Sequence, residues 1–83
     1  MLKLKANVNF EELEQFGFHR PEDSDEWYFD FRPYKEHSDY SYLVVNEETG
    51  LLDMDYVEDE DQDAAMNKVY DLITSGLFEK VEG

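Results

Sequence analysis

Two spacings of apolar residues divide the chain. Phe10, Leu13 and Phe16 in one segment, and Met66, Val69, Leu72 and Ile73 in another, recur every three or four positions, as on one face of a helix. Between Trp27 and Val57 the apolar positions instead alternate with polar ones or run together, as in strands. The first helical segment opens at Asn9 with Glu12 three positions on, a spacing that lets each side chain satisfy a free amide of the first turn. It should stop at Gly17, with Phe18 folding back on the last turn. The second opens in the stretch DEDQDAA, where Asp59 and Gln62 repeat the capping spacing and first-turn carboxylates favour the helix dipole. It should stop at Gly76, before Leu77.

In the strand region, Trp27, Phe29 and Phe31 fall on one face and Tyr28, Asp30 and Arg32 on the other, and Pro33 closes the strand. After a polar turn from Tyr34 to Asp39, Tyr40 to Val45 is apolar on both faces, as in a central strand. Asn46 to Gly50 is a turn, and Leu51 to Val57 is read as a third strand with Leu52, Met54 and Tyr56 opposite Asp53 and Asp55. His19 to Glu26, with Pro21, has no periodicity and reads as a loop. Consecutive strands with short connections form an antiparallel meander. The expected fold is one α+β domain over residues 1–83: a three-stranded antiparallel meander with two helices on one face. It leaves room for a short terminal strand pair between Leu2–Lys5 and Leu77–Val81. The expected core is Trp27, Phe29, Phe31, Leu52, Met54, Met66, Val69 and Ile73.

Charge adds what periodicity cannot. Twenty-two acidic against seven basic residues give a net charge of −15, which opposes direct binding to nucleic acid and to anionic membranes and turns attention to basic protein surfaces or cations. Hydrophobic residues at 41%, aromatics prominent among them, still allow a packed core. With no cysteine there is no disulfide framework or thiolate site, which fits a reducing cytosol. No signal-peptide core and no membrane-length apolar run stands in the chain, so it reads as soluble and cytoplasmic. Self-repulsion among the carboxylates should make the melting temperature rise from low to physiological ionic strength, with calcium at matched ionic strength adding little. Differential scanning calorimetry checks this; a melting temperature that falls with added salt would contradict it.

Leu2-Lys3-Leu4-Lys5, Glu12-Leu13-Glu14-Gln15-Phe16-Gly17-Phe18, the aromatic strands, and Tyr70-Asp71-Leu72-Ile73 with Gly76-Leu77-Phe78-Glu79-Lys80-Val81 resemble small acidic proteins of phages and prophages in low-GC Gram-positive bacteria. The resemblance implies a genomic setting and supplies no site residues.

Candidate chemistry is sparse. Counted as a calcium loop from Asp59, DEDQDAA places Asp59, Asp61 and Asp63 at ligand positions but Ala64 where the turn needs glycine and Tyr70 where it needs a bidentate glutamate. His19 and His37 stand in polar loops, the serines lie in no nucleophile elbow, and there is no glycine-rich phosphate loop. An enzyme is not expected, and neither a metal nor a cofactor is implied. What remains is the face carrying Tyr28, Asp30, Asp53 and Asp55, with Tyr40 and Tyr42 nearby. Either the tyrosines shield the sheet passively, or tyrosines and carboxylates together form a patch for lysines and arginines of a partner. The expected role is therefore a noncatalytic protein-binding module, extending to a phage-type inhibitor that occupies the basic groove of a host nucleic-acid-handling protein. A cation-binding regulatory protein is the alternative.

Overall fold

The computed structural model describes residues 1–31 and 41–81. The elements in order are β1 (Leu2–Leu4), a 3-10 helix (Phe10–Phe16), β2 (Glu26–Asp30), β3 (Tyr42–Asn46), β4 (Leu52–Asp53), a short 3-10 turn (Asp59–Asp61), α1 (Gln62–Thr74) and β5 (Phe78–Lys80). Strands β2, β3 and β4 form the antiparallel meander, and β1 pairs antiparallel with β5, Leu4 facing Phe78. A bridge between Lys3 and Leu51, with the Leu4 amide donating to the Gly50 carbonyl at 2.8 Å, joins the two sheets edge to edge. The α+β architecture is the one the periodicities require. The readings of Arg32 and Pro33, of the turn Tyr34 to Asp39 with His37, and of Tyr40 lie outside the described residues.

The first helix is wound at three residues per turn. Phe10, Leu13 and Phe16 stand three apart, a spacing that a 3-10 helix stacks in line and an α-helix would spread around its surface. Its start is tied by the Asn9 amide donating to Glu12 Oε2 at 3.2 Å. Its end is closed by Gly17 at φ 92° and by the Phe18 amide donating to the Leu13 carbonyl at 3.1 Å, which carries the Phe18 ring into the core. The next stretch is less loose than its composition implies: His19 exchanges two backbone hydrogen bonds with Tyr28 and so flanks β2.

One face of the meander carries Trp27, Leu43, Val45 and Leu52 into a core completed by Leu4, Leu13, Phe18, Val57, Ala65, Val69, Leu72 and Phe78. Phe29, Phe31 and Met54 pack against that core but are only partly buried. Phe29 touches Phe18 and Phe31 at ring-centroid distances of 5.6 and 5.0 Å, and the Lys68 ammonium lies 4.3 Å from its ring centroid. Burial of Lys68 against the aromatic rings lowers its pKa, with nearby Asp71 opposing the shift.

Three expectations are corrected. Met66 and Ile73 are 56% and 45% exposed: α1 turns Ala65, Val69 and Leu72 inward, so Met66, Tyr70 and Ile73 line its flank. The i, i+4, i+7 pattern fits either stripe, and the one buried is Ala65, Val69 and Leu72, all members of the core. The third strand stops at Asp53, because Asp53 Oδ1 accepts the Asp55 amide at 2.7 Å and bends the chain, so Tyr56 leaves the core side. The capping spacing of Asp59 and Gln62 is not used: Gln62 Nε2 instead donates to the Val57 carbonyl at 3.1 Å, and α1 begins at Gln62 itself after the 3-10 turn.

Candidate functional site

The meander's other face is where the predicted binding residues lie. Strand register sets them in rows: Glu26 beside Asn46, then Tyr28, Val44 and Asp53 in line, then Asp30 beside Tyr42. With neighbouring strands about 4.8 Å apart, Tyr28 and Asp53 flank Val44 from opposite sides. Tyr42 meets Tyr28 edge to face at 5.5 Å and stacks on Tyr56 at 5.0 Å, making a row of three tyrosines. Tyr56 joins them because the bend at Asp53 swings it round to this side, and it stays 51% exposed.

Beside that row is a cavity of about 560 Å³. Met1, Leu2, Val44, Leu51, Leu52 and Met54 supply its apolar lining, and among the described residues Glu26, Asp53 and Asp55 are the charged side chains on it, all carboxylates. Two of these are held in place. The Tyr28 hydroxyl donates to Glu26 Oε1 at 3.0 Å, and Asp53 accepts the Asp55 amide. Burial, the largest cause, raises the pKa of both Tyr28 and Tyr42; at Tyr28 a hydrogen bond with Ser24 opposes it and the Glu26 carboxylate adds to it. Their hydroxyls therefore stay protonated at neutral pH, and the charge of this face comes from its carboxylates.

Of the four residues expected to act together, Tyr28, Asp53 and Asp55 surround one patch. Asp30 is beside Tyr42 in register but does not line the cavity, and His19 Nε2 lies 2.9 Å from its Oδ2. An ionised carboxylate only accepts, so Nε2 carries the proton there. Glu26, Tyr56 and the cavity itself were not anticipated. Glu26 was legible as an i−2 neighbour of Tyr28 on the same strand face, whereas Tyr56 depended on where the third strand ended. The acidic stretch before α1 is a 3-10 turn, and among the described residues no group of three or more histidine, aspartate or glutamate side chains is arranged to hold a metal ion. No helix among them is long and apolar enough to cross a membrane. Comparison with protein-family models, curated proteins and solved structures finds no match. The reading of function therefore rests on the geometry of this face.

Proposed function

We propose that this protein is a noncatalytic binding module whose outer sheet face engages a basic surface of another protein. The observation that carries the reading is the cavity, lined largely by aliphatic side chains and carrying Glu26, Asp53 and Asp55 as its charged side chains among the described residues, beside the Tyr28, Tyr42 and Tyr56 row. Tyrosines offer large, rigid contact area at low entropic cost, and carboxylates of one sign steer a basic partner toward it. In the phage setting that the resemblance implies, that partner would be a host nucleic-acid-handling protein and its surface the groove for the phosphate backbone. The net charge of −15 supports this by analogy with the polyanion displaced.

Asp53→Asn together with Asp55→Asn should weaken a captured basic partner about tenfold, about 1.4 kcal/mol, chiefly through a slower on-rate that added salt reproduces. Glu22→Gln with Asp23→Asn, in the exposed stretch before β2, should change it far less. Surface plasmon resonance over a salt series measures both. Equal losses in the two pairs would reduce the effect to net charge and remove the site; a partner that binds this protein and DNA simultaneously would remove the groove-occupying role while leaving the binding module.

A further inference from the structure

We infer that the cavity on the outer sheet face seats one lysine or arginine side chain of that basic partner, stem against the apolar lining and cationic head among Glu26, Asp53 and Asp55; this rests on the reading just given. Long basic side chains are amphipathic, with three or four methylenes that bury readily and a head that demands either water or counter-charge. Both halves are matched here. Leu2, Val44, Leu51 and Met54 face the stem, and the three carboxylates lie on the same cavity. At about 560 Å³ the space lies within the range of ligand clefts and exceeds one side chain, so the head keeps part of its hydration and avoids the full cost of burial.

The carboxylates are prepared for such a guest. Tyr28 holds Glu26 by one hydrogen bond and the Asp55 amide holds Asp53 by another, while a carboxylate has about four acceptor positions, so capacity remains on each. Groups fixed before binding lose little freedom on binding. Among the described residues no lysine or arginine side chain lines the cavity, and the ion pairs His19–Asp30 and Arg20–Glu47 involve carboxylates that do not line it. An anionic guest would meet three like charges. A wholly apolar one would strip water from them without compensation. A guest that is aliphatic along its length and cationic at its tip satisfies both constraints, and arginine is among the residues most enriched at interface hot spots.

The test uses the intact chain and small probes. Nα-acetyl-arginine methylamide and Nα-acetyl-lysine methylamide are titrated separately while methyl and amide resonances are followed by NMR, with the norleucine analogue as the uncharged control and spermidine as the free-polyamine arm. The expected result is saturable shifts at Val44, Leu51 and Met54 with the arginine or lysine probe, at least fivefold stronger than with norleucine. Glu26→Gln with Asp53→Asn should weaken the probe at least tenfold, while Asp25→Asn with Glu48→Gln, which removes the same charge away from the cavity, should not. If the double variant folds poorly, Asp55→Asn alone still reads the same site. Non-saturating shifts spread over the surface would overturn the inference, as would a response to spermidine with none to the amino-acid probes. If a partner shows the salt and Asp53/Asp55 dependence described above but neither probe shifts the cavity, the cavity assignment fails and the binding reading stands. If the probes bind but basic partners do not compete with them, the binding reading fails instead.

Discussion

Leu72→Ala should lower the denaturation midpoint strongly, whereas Ile73→Ala, one residue along the same helix, should barely move it. Leu72 is fully buried in the core beneath α1, and truncating such a leucine costs about 2–5 kcal/mol from lost transfer energy and the cavity left behind. A domain of this length has a total stability on the order of 4–12 kcal/mol, so the loss is a large share of it. Ile73 is 45% exposed on the helix flank, where substitutions usually change stability by about 0.5 kcal/mol. Urea denaturation followed by tryptophan fluorescence measures the pair, since Trp27 lies in the same core. Comparable losses in both variants would mean that α1 is rotated about its axis from the orientation described.

Gly17→Ala should be far more damaging than Gly76→Ala, although both glycines close helical segments. Each sits at positive φ, 92° and 84°, where a side chain costs about 1–2 kcal/mol. The difference is what a methyl group would meet. At Gly17 it would stand 2.8 Å from Phe29 Cε2, and that ring cannot yield freely because Phe18, Phe31 and the Lys68 ammonium surround it. At Gly76 nothing lies within 4 Å. Overpacking of this kind adds about 1–3 kcal/mol, so Gly17→Ala should lose roughly 2–5 kcal/mol in total and Gly76→Ala only the conformational part. Thermal melts of the two variants decide it; equal shifts would place Phe29 elsewhere than against the end of the 3-10 helix.

The sheet's binding face illustrates how a partial reading becomes a site. Alternation alone put Tyr28 and Asp53 on the outer face, and the observed register confirms their side by pairing both with Val44. It could not reveal that Asp53 would accept the Asp55 amide, end the strand and turn Tyr56 onto Tyr42. A two-residue side-chain-to-backbone bond competes with continued strand pairing, and it prevails here although β3 continues alongside, the Tyr42 amide reaching the Tyr56 carbonyl at 3.3 Å. Asp30 was placed on the correct side as well, but its company is His19, which reaches β2 only because the stretch after Gly17 folds back against it.

Sequence alone determined the local elements: a strand-rich middle between two helical segments, the stops at Gly17 and Gly76, a central strand apolar on both faces, and a surface dominated by negative charge. These follow from spacing, capping residues and backbone freedom, which act over a few residues and need no partner. Tertiary structure decided the rest. It chose Ala65, Val69 and Leu72 over Met66 and Ile73 as the buried stripe, because the stripe that buries is the one that fills the space left by the other core side chains at close packing, which spacing along one helix cannot show. It also brought Leu2, Val44, Leu51 and Met54 together beneath Glu26, Asp53 and Asp55, residues separated along the chain and joined only when β1 closes on the edge of the meander. A cavity is a property of elements packed against one another, and its lining has no spacing of its own to read.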